Sequence, residues 1–266
     1  MPEQTTFLFT APARSGGQDA DSALARLRAA DWDGILAELD ARGKAIVPGL
    51  FNAAECAGWA AGYADDARFR SRVVMARHGF GRGEYRYYAY PLPAPLPALR
   101  ETLYERLVPL ANQWRARLGE PGPAFPDTHA AFLARCHEAG QTRPTPLLLR
   151  YEAGDYNCLH QDLYGDHVFP LQMAVLLSVP GHDFEGGEFV MTEQRSGHPA
   201  TAEVMPLAQG DALIFAVRER PGRVSPGRVS PGRAGRGWHR RTLRHGVAEL
   251  TRGLRHTLGI ILHDAR

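Results

Sequence analysis

Hydrophobic residues in the first half of the chain recur mostly at helical spacing. The predicted helices cover residues 21–39, with a break near Asp31, and 52–63, 98–118 and 127–139. The helix predicted at 52–63 is supported by a capping-box pattern, in which Asn52 is followed three residues later by Glu55. Two extended segments interrupt the helices. Residues 44–47 predict a short strand, and residues 70–90 predict two strands around the glycine-rich turn at 79–83.

The second half of the chain has a different pattern, in which short apolar runs alternate with Gly, Pro and Asp. These runs lie at 146–151, 168–178, 187–193, 202–207, 211–217, 241–249 and 255–262. Close spacing of short strands is typical of an antiparallel sandwich or jelly roll. We therefore predict an α+β fold, with a helical N-terminal part at 21–144, which includes a substrate-facing β segment, packed on a jelly roll at 145–266.

Two segments lack any periodic hydrophobic pattern. Residues 1–20 are rich in polar and small residues and are expected to form a flexible arm. Within 218–241, the unit Pro-Gly-Arg-Val-Ser occurs twice and begins a third time. The density of Pro, Gly and Arg predicts a disordered loop over 218–241, read either as a neutral insertion or as an arm that contacts phosphates.

Composition narrows the class of protein only a little. The chain has 266 residues, 44% hydrophobic residues and a formal net charge of +2, which is ordinary for a globular protein. Lys44 is the only lysine, so nearly all basic residues are arginine, which binds carboxylates and phosphates bidentately. The three cysteines are too scattered for a disulfide framework. With no secretory signal or membrane-length apolar stretch, we expect a cytoplasmic protein without a membrane partner.

A histidine and a carboxylate two residues apart form the strongest chemical signal. His160 and Asp162 would point to the same face if both lay on one strand. A third ligand, from a later strand, is available in His245. Two histidines and one carboxylate on one face of an octahedron form the facial triad of non-haem Fe(II) oxygenases.

An arginine and a tyrosine that could bind a carboxylate lie about ten residues from these ligands in the sequence. Arg255 follows His245 by ten residues, and Tyr151 precedes His160 by nine. A late-strand arginine that faces a barrel interior would be an unpaired buried charge unless an anion bound to it. A dicarboxylate, shared with the Tyr151 hydroxyl, would satisfy that requirement.

The order and spacing of several motifs resemble the Fe(II)/2-oxoglutarate-dependent dioxygenase superfamily, in its prolyl-4-hydroxylase-like branch. The resemblance covers roughly 145–265 and is most similar to a bacterial family of predicted oxygenases proposed to act on damaged DNA bases. It is carried by Tyr151-x-x-Gly154-x-x-Tyr156-x-x-x-His160-x-Asp162, Phe184-Glu-Gly-Gly-Glu188-Phe189, Pro206-x-x-x-Gly210-Asp211-Ala-Leu-Ile-Phe215, and His245-Gly-Val with Gly253-x-Arg255.

The resemblance implies a double-stranded β-helix, the cupin-like form of the jelly roll, and a role for each site residue. Catalytic iron would be held by His160, Asp162 and His245. The co-substrate 2-oxoglutarate would be bound by Arg255, with Tyr151 and Thr257 assisting. The oxidoreductase reaction would consume O2, release succinate and CO2, and hydroxylate a substrate C–H bond.

The substrate itself is left open by the sequence. The segment from Arg77 to Tyr90 interleaves arginines and aromatics, and Arg77, Arg82, Tyr85 and Tyr88 are the candidate substrate contacts. Oxidative demethylation of a damaged nucleobase is one expectation. Hydroxylation of a protein at proline-type positions, or of a small molecule, is the alternative. Two departures from the better-known DNA dealkylases support that alternative, because Ile261 and Leu149 stand where those enzymes favour Arg and Asn.

Two further classes of protein share these residues in part. A cupin-like binding protein would keep the fold without the chemistry, and a zinc hydrolase would use the same three ligands. The zinc hydrolase would leave Arg255 and Tyr151 without a purpose. No obligate protein partner is indicated by the sequence, and it does not determine an oligomeric state.

Overall fold

The apolar runs of the second half form strands of two antiparallel sheets. In the computed structural model, which describes residues 22–223 and 237–266, each predicted run contains a strand. The strands of this half are β5 (Leu147–Glu152), β6 (Tyr156–His160), β7 (Leu171–Leu176), β8 (Phe184–Gly186), β9 (Phe189–Arg195), β10 (Thr201–Met205), β11 (Ala212–Ala216), β12 (Glu219–Arg223), β13 (Trp238–Val247) and β14 (Leu250–Ile260).

The first half supplies five helices and four short strands. They are α1 (Ala23–Ala29), α2 (Trp32–Arg42), β1 (Lys44–Val47), α3 (Ala53–Ala61), β2 (Phe69–Val74), β3 (Gly81–Arg82), β4 (Glu84–Tyr88), α4 (Leu96–Leu118) and α5 (His129–Glu138). The predicted break near Asp31 is the start of α2, because the Asp31 carboxylate accepts from the Gly34 N–H. The capping box of Asn52 and Glu55 is present at the start of α3.

The two sheets face each other in the manner of a jelly roll, which confirms the predicted fold class. The larger sheet has the order β1-β11-β7-β14-β5-β4-β2, with β8 also paired to β14. The smaller sheet has the order β10-β9-β13-β6-β3, with β12 also paired to β13. The strands predicted at 44–47 and within 70–90 are present, and the N-terminal part extends the larger sheet with β1, β2 and β4 and the smaller one with β3.

One continuous hydrophobic core joins the helices to the larger sheet. The long helix α4 buries a row of leucines that includes Leu99, Leu103 and Leu107, each fully buried. Full burial of such a side chain contributes about 1.5–3 kcal/mol. No helix within 22–223 and 237–266 has both the length and the apolar character needed to cross a membrane.

The segment 218–241 differs from its prediction at both ends. Strand β12 pairs with β13 in antiparallel register from Glu219 opposite Thr242 to Arg223 opposite Trp238. The expectation of a loop was therefore wrong for these flanks, where ladder hydrogen bonds to a neighbouring strand outweigh the poor strand propensity of Pro and Gly. Residues 224–236, which hold most of the repeat, and the predicted arm at 1–20 lie outside the described residues.

Candidate metal centre

Two histidines meet across a pair of neighbouring strands in the smaller sheet. His245 on β13 is the direct register partner of His160 on β6, and their ring centroids are 4.2 Å apart. The His245 ring also lies parallel to Phe189, with a centroid separation of 5.7 Å, and packs against Phe215. Sheet pairing and aromatic packing together fix both imidazoles.

The carboxylate joins the histidines from a loop rather than from a strand. Strand β6 ends at His160, so the expectation that Asp162 shares a strand face with His160 was wrong. Asp162 nevertheless places its Oδ1 3.5 Å from His160 Nε2 and its Oδ2 3.3 Å from His245 Nε2. The three ligating atoms all lie within 4.8 Å of one another, and no other such cluster occurs in the described part of the chain.

The electrostatics of the cluster keep Asp162 ionised. Burial alone would raise the pKa of Asp162, but hydrogen bonds and charge from the two histidines hold that pKa well below its usual range. Burial lowers the pKa of His245, whereas the pKa of His160 is raised, because the hydrogen bond and charge of Asp162 outweigh burial there. The Nδ1–H of His160 donates to the Cys158 carbonyl at 2.8 Å, which leaves Nε2 as the free ligand atom. A nitrogen and oxygen donor set of this kind fits Fe(II) and leaves coordination positions open for other ligands.

A buried arginine lies in the same cavity as the metal cluster. Arg255 is only 2% exposed, and its Nη1 donates to the Thr257 hydroxyl at 2.6 Å. Its Nε has no hydrogen-bond partner, and no carboxylate among the described residues forms a salt bridge with it. Burial lowers the pKa of Arg255 to about 10, so the group is still a cation near neutral pH. A buried cation without an ion-pair partner is a favourable site for an anionic ligand.

The predicted assistants of Arg255 lie beside it. Tyr151 on β5 is the register partner of Arg255 on β14, and the guanidinium carbon lies 5.7 Å from the centroid of the Tyr151 ring. Burial raises the pKa of Tyr151, so its hydroxyl is a proton donor. We call Arg255, Tyr151 and Thr257 the buried end of the cavity. Its donors fit a carboxylate group.

The cavity that contains both groups has a volume of about 290 Å³. It lies between the two sheets, and its walls are mainly apolar. Polar groups enter it at the metal cluster, at the buried end, and from Tyr85, Asn157, Gln161, Tyr164 and Gln172. Pockets that take a drug-sized ligand usually measure about 300–1,000 Å³. This cavity therefore has room for a small co-substrate and a single reacting group.

The mouth of the cavity carries an exposed aromatic pair. Phe80 lines the cavity yet is 46% exposed, and its ring stacks on His78 with centroids 5.6 Å apart. The segment is fixed to β6, because the Cys158 N–H donates to the Phe80 carbonyl and Gly81 pairs with Asn157. A side chain at Gly81 would meet the Tyr156 carbonyl oxygen at 2.4 Å, so only glycine allows this close approach.

Exposed arginines flank the aromatic pair along the chain. Arg77 ends a short 3-10 helix, and Arg82 lies on β3, where it pairs with Tyr156 of β6. Neither arginine makes an ion pair with a described residue. We call Arg77, His78, Phe80 and Arg82 the rim. Sequence reasoning selected the two arginines and missed Phe80, although an aromatic residue between Gly79 and Gly81 is a detectable sign of an exposed turn.

The two candidate tyrosines have different locations. Tyr85 lines the cavity, as expected. Tyr88 is fully buried in the main core, where it packs against Phe69 and Trp59, so its selection as a substrate contact was wrong. The physical reason is strand geometry, because residues three apart on β4 point to opposite faces of the sheet.

Two polar residues next to the metal cluster carried no sequence signal. Tyr164 and Gln172 both donate hydrogen bonds to the Asp162 carboxylate. Neither residue is at a spacing from the ligands that would have identified it.

Comparison with known proteins adds a family match that covers most of the chain. Residues 83–265 match the family described as "Oxygenase, catalysing oxidative methylation of damaged DNA". Uncharacterized proteins from two strains of Mycobacterium tuberculosis are 43% identical over 175 residues, which is 66% of this chain and 70% of theirs.

Similar solved structures include several oxygenases at low sequence identity. A Pseudomonas putida prolyl-4-hydroxylase is 14% identical with a TM-score of 0.47, covering 88% of this chain and 99% of its own. An oxidoreductase of the 2OG-Fe(II) oxygenase family from Burkholderia pseudomallei is 18% identical with a TM-score of 0.45, covering 88% and 92%. HygX from Streptomyces hygroscopicus, solved with nickel, 2-oxoglutarate and hygromycin B, is 18% identical with a TM-score of 0.43, covering 85% of each chain.

Proposed function

The chain belongs to this oxygenase family, and on that premise we propose that it oxidises a damaged nucleobase with Fe(II) and 2-oxoglutarate. One observation carries the proposal. The metal cluster of two histidines and a carboxylate lines the same cavity as Arg255, a buried arginine without a salt bridge to any described residue. The cluster fits a metal ion, and Arg255 fits the carboxylate of a co-substrate.

Fe(II) with 2-oxoglutarate would supply the oxidation of a substrate C–H bond by O2, with one oxygen atom going into succinate, the other into the substrate hydroxyl, and CO2 released. His160, Asp162 and His245 would hold the metal. Arg255 would hold the distal carboxylate of 2-oxoglutarate, assisted by the hydroxyls of Thr257 and Tyr151. The apolar walls exclude water from the reacting groups.

This chemistry supports removal of a methyl group from a base and not addition of one. An oxygenase inserts oxygen and provides no methyl donor, so the step on a methylated base is hydroxylation of the N-methyl carbon. The resulting N–CH2OH group breaks its C–N bond, which returns the proton to nitrogen and releases formaldehyde. Carbon, oxygen and hydrogen balance without any further reactant.

The rim supports a nucleic-acid substrate. Exposed aromatic faces stack on bases at about 1–3 kcal/mol per base, and exposed arginines bind phosphates. Phe80 and His78 offer the stacking faces, and Arg77 and Arg82 offer the phosphate contacts. The small cavity admits only one base, so the remainder of a polymer would lie outside, along this segment.

Hydroxylation of a peptide side chain is the second candidate. Ile261 and Leu149, which replace residues favoured in the better-known DNA dealkylases, both line the cavity. They make its wall more apolar than Arg and Asn would. An apolar wall of this kind suits the ring or chain of an amino acid.

Succinate formation, measured with a panel of substrates, tests the proposal. The protein with Fe(II), 2-oxoglutarate and O2 is offered N-methylated single- and double-stranded oligonucleotides, their unmethylated matches, and proline-containing peptides. We expect formaldehyde and loss of one CH2 unit from the methylated oligonucleotides only. If only a peptide gains one oxygen atom, the substrate class is a protein and not a nucleic acid. Absence of succinate with every substrate, together with absence of metal binding, would leave a cupin-like binding protein, and hydrolysis with bound zinc would overturn the oxygenase chemistry.

A reducing, cytoplasmic location is part of the proposal. Cys56, Cys136 and Cys158 are all free, and Cys158 is exposed two residues from a metal ligand. Free thiols persist in a reducing compartment. No obligate protein partner enters this proposal.

A further inference from the structure

The three metal-binding side chains are held in different ways. His160 and His245 are register partners in a sheet, whereas Asp162 lies in the segment between β6 and β7, which has no regular structure. Backbone pairing therefore does not fix the carboxylate. We propose that Tyr164 and Gln172 act as positioning residues that clamp Asp162 in the orientation a metal requires, an inference that rests on the proposed metal centre.

Each oxygen of Asp162 receives one hydrogen bond from the clamp. The Tyr164 hydroxyl donates to Oδ1 at 2.6 Å, and Gln172 Nε2 donates to Oδ2 at 2.7 Å. Asp162 is 7% exposed and Gln172 is 5% exposed, so the bond between them is shielded from water, and the bond from Tyr164 is partly buried. An ionised carboxylate is an acceptor only, so both neighbours must donate. Two donors on opposite oxygens prevent rotation of the carboxylate about its Cβ–Cγ bond.

The two donors are themselves anchored on different elements. Gln172 lies on β7, which pairs with β11 on one side and β14 on the other, and it is the register partner of Phe215. The Tyr164 ring packs edge-on against Tyr87 with centroids 6.2 Å apart.

A buried glutamine fixes the backbone of the loop that carries Tyr164. Gln141 is fully buried, and its Nε2 donates to the carbonyls of Tyr164, His167 and Asp264 at 3.2, 3.1 and 2.6 Å. Its Oε1 accepts from the His167 N–H at 2.8 Å. Gly165 allows this contact, because a Cβ there would lie 2.4 Å from the Gln141 side chain. The loop is thus tied to the C-terminal segment, and the clamp has a fixed base.

Outer donors of this kind usually change metal affinity by about 10–100-fold when they are removed. The test uses Co(II), a spectroscopic substitute for Fe(II), with the full chain. Tyr164→Phe and Gln172→Met each remove one donor while keeping most of the side-chain volume. We expect each to weaken Co(II) binding by about 10–100-fold and to change the visible absorption of the bound ion. Tyr104→Phe is the matched control, since it loses a buried tyrosine hydrogen bond to the Pro126 carbonyl outside the cavity.

The outcomes separate the clamp from the proposed function. Wild-type protein that does not bind Co(II) would refute the metal centre and the clamp with it. Wild-type binding that both variants match, in affinity and in spectrum, would refute the clamp alone. An equal loss of affinity in Tyr104→Phe would also refute it, because the effect would then be general destabilisation. If Tyr164→Phe does not fold, Gln172→Met decides on its own.

Discussion

The two ends of the cavity differ in burial and in how firmly the sheets hold them. At the buried end, Arg255 and Tyr151 are register partners in the larger sheet, and Arg255 is almost completely enclosed. At the rim, Phe80 is nearly half exposed, on a segment that joins the smaller sheet through the two-residue strand β3 and a hydrogen bond from the Cys158 N–H to the Phe80 carbonyl. The buried end is shaped by the core of the protein, and the rim is attached to its edge.

This difference separates chemistry from specificity. A buried charge without an ion-pair partner favours only a narrow class of ligand, so the structure indicates an anion at the buried end. An exposed aromatic pair with neighbouring arginines fits many polymers, because every base has a stacking face and every nucleotide a phosphate. Variants should therefore have large, uniform effects at the buried end and smaller, substrate-dependent effects at the rim.

Loss of a metal ligand should have the largest effect of all. His160→Ala removes one of three protein ligands, and we expect no detectable succinate formation with any substrate. His182→Ala is the matched control, because His182 is an exposed histidine that does not line the cavity. Succinate formation by His160→Ala at the wild-type rate would show that the reaction does not depend on this cluster.

Arg255→Lys should have the next largest effect. Lysine keeps the charge but loses the planar fork, and hydrogen bonds to charged groups contribute about 1.5–3 kcal/mol. We expect 2-oxoglutarate to bind roughly 10–150-fold more weakly, with Co(II) affinity unchanged. Arg252→Lys, at an exposed position on the same strand, is the control. Unchanged 2-oxoglutarate affinity, measured by calorimetry on the metal-loaded protein, would contradict the role of Arg255.

Phe80→Ala should distinguish the rim from the buried end. Loss of one stacking face should raise KM for an oligonucleotide roughly 5–150-fold, while turnover of 2-oxoglutarate without substrate stays at the wild-type rate. Phe80→Trp should restore binding, and Leu254→Ala, an exposed apolar residue elsewhere, should have no effect. An equal KM for Phe80→Ala and wild type would remove the rim from the substrate site.

Arg82→Gln should have the smallest effect, visible mainly in its salt dependence. Removal of one phosphate contact should reduce the slope of log affinity against log salt by about one, with little change in sequence preference. Fluorescence anisotropy with a labelled oligonucleotide at several salt concentrations measures this. The same slope in Arg82→Gln and in wild type would mean that Arg82 does not contact the backbone.

Local patterns in the sequence were sufficient for the chemical class and most of the elements. The apolar runs of the second half predicted the strands, and the capping pattern at Asn52 predicted the start of α3. The spacing of His160, Asp162 and His245 predicted a cluster that the structure does bring together. The family match confirms the oxygenase class. These features depend on residue type and short spacing, which a sequence displays directly.

Only the tertiary structure decided how the site is held and where substrate can reach it. Asp162 lies beyond the end of β6 and accepts hydrogen bonds from Tyr164 in the same loop and from Gln172 on β7. Because β6 and β7 belong to different sheets, only the packing of the two sheets brings Gln172 to Asp162. Tyr88 turned out to be core because the face of β4 that packs on the helices is set by the sheet as a whole. The flanks of segment 218–241 became strands because β13 offered a pairing edge. Residue type determines what a side chain can bind, whereas long-range packing determines which side chains meet and which remain exposed.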